Sequence, residues 1–167
     1  MSIAEVIDAT KAALQSAPEQ AQANFEAHHS LVGPCEVTVK VGSGHEFTVD
    51  EPQAFGGGDV AANPAEYALA ALGSCQAITY RVWAAQLGIK LDKVEISIDG
   101  DIDLRGFLGI DDRIRAGFNA VRIRVNLSGP EPPARYEELA ATVDAHCPIL
   151  DLFRNPVPVE RKLVNAV

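Results

Sequence analysis

Two of the three cysteines stand where chemistry is possible. Cys75 lies in the most apolar stretch of the chain, Tyr67-Ala-Leu-Ala-Ala-Leu-Gly-Ser-Cys75-Gln-Ala-Ile-Thr-Tyr80, and Cys147 follows 72 residues later at the head of Cys147-Pro-Ile-Leu. A helix apolar on every side is buried, so a thiol in its middle is shielded from water and held in fixed geometry. A thiol attacks only as its thiolate, which an apolar site disfavours, so Cys75 needs Arg, Lys, His or a helix N-terminus beside it to react. Cys147 reads as the N-cap of a short helix starting at Pro148, where free N–H groups and the helix dipole favour negative charge by about 0.3–1 kcal/mol. Residue type alone leaves a second reading open, in which both are core cysteines, since cysteine is among the most often buried residues. Cys35, at the start of an expected strand with no acid-base companion, reads as structural. Zinc is a weaker prospect: His146 adjoins Cys147, and His28, His29 and His45 are available, but no C-x-x-C or H-x-x-x-H spacing accompanies them.

The elements that must position these thiols are legible in the periodicities. Asn63 as N-cap, Pro64 at the first helical position and Glu66 three past the cap open a helix that Gly88 closes, so residues 64 to 87 are expected to be helical. Its span from Tyr67 to Tyr80 carries no charge, which calls for protein on both flanks. Ser2 and Glu5 form a capping box ahead of an amphipathic helix over 3–16, and polar helical turns are expected through Gln20 to His28. Val37, Val39 and Val41, then Gly42-Ser-Gly44, then Phe47 and Val49 spell a β-hairpin, followed by a glycine-rich loop over 50–62. Period-two alternation marks strands through Val94–Ile98 and Val121–Leu127, with a short strand expected at Ile102–Leu104. A helix from Tyr136 to His146, a short one over Pro148–Phe153 and an edge strand over Val157–Val164 complete the reading. Helices and strands intermix without strict alternation, so the class is α+β.

At 167 residues, 47% hydrophobic and 22% charged, the chain fits one domain able to bury about 70% of its unfolded surface. The organisation expected is a single domain, 1–167, with a helical N-terminal extension over 1–34 and a core over 35–167. Fourteen Lys and Arg against 23 acids, a net charge of -9, argue against nucleic acid and anionic membranes as partners and favour a neutral or apolar ligand. The N-terminus lacks the basic and apolar regions of a secretory signal, and no apolar run reaches the ~18 residues of a membrane span, so a cytoplasmic location is expected. An odd cysteine count does not suit a disulfide scaffold.

Three motifs, Asn63-Pro-Ala-Glu-Tyr-Ala-Leu-Ala-Ala-Leu-Gly-Ser-Cys75, Gly100-Asp-Ile-Asp-Leu-Arg-Gly-Phe-Leu-Gly109 and Cys147-Pro-Ile-Leu-Asp151, together resemble the OsmC/Ohr family over roughly residues 35 to 165. The resemblance implies a fold in which long central helices pack against extended antiparallel β-sheets in an intertwined homodimer, with active sites at the subunit interface. It also implies a peroxidase for organic hydroperoxides that serves oxidative-stress defence, with Cys75 peroxidatic and Cys147 resolving. No metal or organic cofactor is required; the further partners are a small organic hydroperoxide and a dithiol reductant such as a lipoylated protein or thioredoxin.

Members of that family activate the thiolate with an arginine near the N-terminus, whereas the first arginine here is Arg81, so Lys40, His45, Arg81 or Arg105 would have to substitute. Glu66 lies nine residues before Cys75, about 13.5 Å along a helix and about 180° around it, and reads as the capping acid. Glu51, in the glycine-rich loop, is the better candidate for a polar group near the thiol, or else a loop acid in solvent. Arg81, about 240° round the helix from Cys75, points away within its own chain and would reach a partner's site, unless it is an ordinary surface charge. Arg105 is either a salt-bridge partner or a site residue. Two readings without catalysis remain beside the peroxidase: a binding protein of the same fold holding a small apolar ligand, and a structural dimer or scaffold.

Overall fold

Local chemistry sets most of the element boundaries in the computed structural model, which describes residues 1–164. Ser2 accepts from the Glu5 amide at 3.2 Å and opens α1 (Ile3–Ser16). The Asn63 side chain accepts from the Glu66 amide at 3.0 Å while Glu66 accepts from the Asn63 amide at 2.9 Å, and this reciprocal cap opens α2 (Pro64–Leu87). Gly88, at φ 64°, closes α2 in the left-handed conformation that glycine adopts without a Cβ penalty. The 24 residues of α2 run about 36 Å, the longest element of the chain.

The strands form two antiparallel sheets. β1 (Ala27–Leu31), β2 (Val37–Val41) and β3 (Glu46–Val49) make the first, in that order, and β4 (Lys93–Ile102) with β5 (Phe118–Ser128) the second. Between β4 and β5 lies the single helical turn α3 (Leu104–Phe107), and after β5 come α4 (Pro133–His146) and α5 (Pro148–Arg154). One face of the β4–β5 ribbon is wet: Arg122 sits opposite Asp99 and also pairs with Asp101, while Arg124 pairs with Asp99. The other face, with Ile98, Val121 and Ile123, packs toward α2 and α5.

Two buried clusters share α2. Tyr80, Ala84, Ile89, Leu91, Leu139 and Val143 form one, which clamps α4 against the C-terminal half of α2. Leu72, Cys147 and Leu150 form the other, which seats α5 against its N-terminal half. The N-terminal sheet is tied to α2 by the Tyr67 hydroxyl, which donates to the Thr48 carbonyl at 2.7 Å, and by the Phe47 ring 5.1 Å from that of Tyr67. α1 rests on the far end of α2, where Asp8 accepts from Gln86 at 3.0 Å and the Lys11 ammonium lies 5.2 Å from the Trp83 ring.

Several expectations are corrected. The segment Gln20 to His28 is not helical beyond a 3-10 turn at Pro18–Ala21; instead β1 pairs with β2 from Ala27↔Val41 to Leu31↔Val37. No apolar stripe anchors a helix there, and the ladder groups of β2 outweigh a weak local preference. Ile102–Leu104 is no separate strand: β4 extends through Ile102, and Asp103 then caps α3 by accepting from the Arg105 amide at 3.1 Å. α4 begins at Pro133, not Tyr136, because proline suits the first turn of a helix. Among the described residues 157–164 there is no strand, since Pro156 and Pro158 remove ladder donors and no neighbouring edge is paired. Finally, one flank of α2 is open in the single chain: Ala70, Ala71 and Ser74 are exposed and Ile78 is 65% exposed.

Asp50 organises the loop that delivers the chain to α2. Its buried carboxylate accepts from the amides of Glu51 (2.8 Å), Gly58 (2.9 Å) and Val60 (3.2 Å). Gly57 folds so close to Glu51 that a Cβ there would lie 1.8 Å from the Glu51 carbonyl oxygen, so no larger residue fits. Burial opposes charge on Asp50, but the N–H groups of Val60, Glu51, Gly58 and Asp59 more than offset it and hold the carboxyl below the usual 3.8.

Leu139→Ala, at a side chain with no solvent exposure, is expected to cost about 2–5 kcal/mol of stability in urea unfolding. Asp50 binds a proton less readily folded than unfolded, so its contribution is present above 3.8 and is lost as the pH falls through its lowered folded value. Asp50→Asn should therefore melt at lower temperature at neutral pH and show a shallower acid decline of the melting temperature than the wild type.

Candidate functional site

α2 and α5 meet at the two sulfurs. Cys75 sits midway along α2, half-buried, and its carbonyl accepts from the Thr79 hydroxyl at 2.7 Å. Cys147 is the residue at which α4 ends and α5 begins, buried to 2% exposure. Leu72, one turn before Cys75, and Leu150, one turn into α5, pack together beside the two thiols. The outcome is a contact between residues far apart in the chain: the Cys147 thiol donates to Cys75 Sγ across 3.4 Å.

The two thiols are not equivalent. Burial pushes the Cys147 thiol up; the N–H groups of Leu150 and Ile149 pull the other way without closing a cap hydrogen bond, and the neighbouring Cys75 sulfur adds to the rise. Cys147 is therefore held as a protonated donor, and the more exposed Cys75 is the acceptor. Both are reduced, and a disulfide bond length of about 2.05 Å requires the sulfurs to close by about 1.4 Å, within the reach of side-chain rotation. Such a pair can exchange two electrons with a substrate that reaches Cys75.

The other candidates lie elsewhere in the chain. His45 is exposed in the β2–β3 turn, its carbonyl accepting from Val41 at 3.0 Å, and Lys40 pairs with Glu46 at 2.8 Å. Glu51 is half-buried at the foot of the Asp50 loop, where its carbonyl accepts from Asp59 at 3.1 Å. Arg81 is exposed on α2. Arg105 forks onto Asp103, with bonds of 3.0 and 3.2 Å from its Nε, and this partner holds the Asp103 carboxyl down at about 2. Among the described residues none of Glu51, Arg81, Arg105 and His45 hydrogen-bonds or ion-pairs with either sulfur of its own chain. Cys35 stands apart, half-buried, with its thiol directed at the Phe55 carbonyl at 3.6 Å.

Two buried polar residues were not singled out by the sequence. Asp50 shapes the approach to α2, and its signal was a carboxylate followed by glycines able to turn their amides back on it. Gln76, beside Cys75, is 1% exposed, and its signal was a polar amide inside an otherwise apolar helical stretch.

Comparison with known proteins agrees with the fold. The family model for OsmC-like proteins matches residues 56–162. Among solved structures, an OsmC-like protein from Mycoplasma pneumoniae superposes with a TM-score of 0.68 at 16% identity, over 80% of this chain and 89% of that one. An organic hydroperoxide resistance protein from Elizabethkingia anophelis, solved with thiocyanate bound, gives 0.62 at 22% identity over 80% and 89%. One from Legionella pneumophila, described as an organic hydroperoxide resistance protein OsmC and predicted redox protein, gives 0.61 at 20% identity over 79% and 90%. At these identities the shared shape establishes the fold. No curated protein sequence is similar enough to match. With a family model spanning well over half of its residues, the motif-bearing helix and both cysteines included, this chain belongs to the family of OsmC-like proteins.

Proposed function

We propose that the protein is a thiol peroxidase that reduces organic hydroperoxides, with Cys75 as nucleophile and Cys147 as resolving thiol. The observation that carries this reading is the 3.4 Å contact between the two sulfurs in an apolar setting. The Cys75 thiolate attacks the terminal oxygen of ROOH; the O–O bond breaks, Cys75 becomes a sulfenic acid, and the alkoxide takes a proton and leaves as ROH. The Cys147 sulfur then attacks Cys75 Sγ, expelling water and forming a disulfide, and an external dithiol such as a lipoylated protein or thioredoxin returns both to thiols. Placement supports the division of labour: the half-buried sulfur meets substrate, and the buried one meets only its neighbour. Structural relatives named as organic hydroperoxide resistance proteins support the substrate class.

The working form is a homodimer. The flank of α2 with Ala70, Ala71, Ser74 and Ile78 is apolar and open, as are Leu104, Phe107, Leu108 and Ile110 around α3, and a second copy would cover them. Arg81, on the exposed side of α2, or Glu51, His45 or Arg105 from the partner would supply the charge that Cys75 lacks in its own chain. Among the described residues no helix is long and apolar enough to cross a membrane, and a reducing cytoplasm suits a cycle that starts from two thiols.

Purified protein supplied with a dithiol should consume cumene hydroperoxide, and Cys75→Ser should abolish turnover while keeping the wild-type melting temperature; equal rates in the two proteins would reject the reading in favour of a binding protein. One equivalent of peroxide without reductant should yield a single disulfide that joins the Cys75 and Cys147 peptides in a mass spectrum, with Cys35 left free. Cys147→Ser should stop after about one turnover per chain, its Cys75 passing on to sulfinic acid.

A further inference from the structure

A cavity, partly open to solvent, lies between β5, α2 and α5. Its volume of about 800 Å³ is within the ~300–1,000 Å³ range of small-molecule sites. Phe118, Val121, Ile123 and Phe153 give it apolar walls, and Arg115 and the ion-paired Arg154 and Asp144 are part of its lining. Neither cysteine lines it; Leu72 and Leu150, which pack on the thiols, form the partition.

The buried amide of Gln76 also forms part of the wall, and its Nε2 has no hydrogen-bond partner. A buried donor left unpaired is costly, and native proteins seldom keep one without a ligand or water to meet it. The terminal torsion of a glutamine is soft, so a turn of this buried side chain on binding would present either its N–H₂ or its carbonyl to a ligand in the cavity. A hydroxyl, which both donates and accepts, pairs with either face. Arg115 is exposed and forms no ion pair among the described residues, whereas the nearby Arg154 is held by Asp144 at 3.0 Å. The free guanidinium is therefore matched to an anion, and a carboxylate suits its fork.

We propose that this cavity binds an apolar hydroxycarboxylate, its carbon chain along Phe118, Val121, Ile123 and Phe153, its hydroxyl on the Gln76 amide and its carboxylate on Arg115. The site is separate from the thiols, so it stands whether or not Cys75 turns over peroxide.

The test uses the full chain in its native assembly, with 10-hydroxydecanoate and decanoate as calorimetric ligands. The hydroxy acid should bind about tenfold more tightly than decanoate, the preference expected for one hydrogen bond to a buried amide. Gln76→Leu should erase that preference, Arg115→Ala should weaken both ligands by about three- to tenfold, and Cys75→Ser should bind like the wild type. In the wild type, the Gln76 side-chain amide resonance should shift with 10-hydroxydecanoate, a readout that holds even where Gln76→Leu fails to fold. Absence of binding by either acid, an undiminished preference in Gln76→Leu, or an amide resonance that does not move would overturn the proposal.

Discussion

Everything at the candidate site depends on one buried cluster of Leu72, Cys147 and Leu150. These side chains, at 0%, 2% and 5% exposure, seat α5 against α2, with Cys75 packed beside them. Core side chains sit close-packed in rotamer minima, so this cluster holds the two sulfurs in contact. A looser junction would leave both thiols intact as residues and useless as a pair. The break between α4 and α5 has the same purpose, since Pro148 cannot continue α4 and Cys147 is left at the corner, facing α2.

The electrostatics around that junction are sparse. Several cations are spent on surface carboxylates: Arg122 and Arg124 on the wet face of the β4–β5 ribbon, Arg105 on Asp103, Arg113 on Asp111. Around the sulfurs the field comes instead from the N–H groups that begin α5 and from the S–H of Cys147 itself. Such a site brings two sulfurs within reach of a disulfide, while the described residues of the same chain place no cation on either of them.

Buried polar groups divide into two kinds here. Asp50 is fully satisfied, and its amide contacts turn a glycine-rich loop into a rigid lead-in to α2. Gln76 Nε2 is unsatisfied, and the residue lines the cavity between α2, β5 and α5.

How much was legible in the residues follows from how local each cause is. The caps at Ser2 and Asn63, the glycine stop at Gly88 and the alternation in both long strands act within a few residues, so α1, α2, the β2–β3 hairpin and β4–β5 could be placed from the chain alone. The two cysteine motifs, read as a resemblance, pointed to the right family, and the fold brings their two sulfurs within 3.4 Å of each other. Where a partner from elsewhere decides, local preference misled: residues 27–31 took a strand because β2 offered an edge, and 157–164 took none because no edge met them. Only the tertiary structure decided that Cys147 is the protonated donor, that Asp50 gathers the loop amides and that Gln76 is left without an acceptor. Periodicity and capping are written in neighbouring residues, whereas burial and hydrogen-bond satisfaction are properties of whichever distant atoms the fold brings alongside.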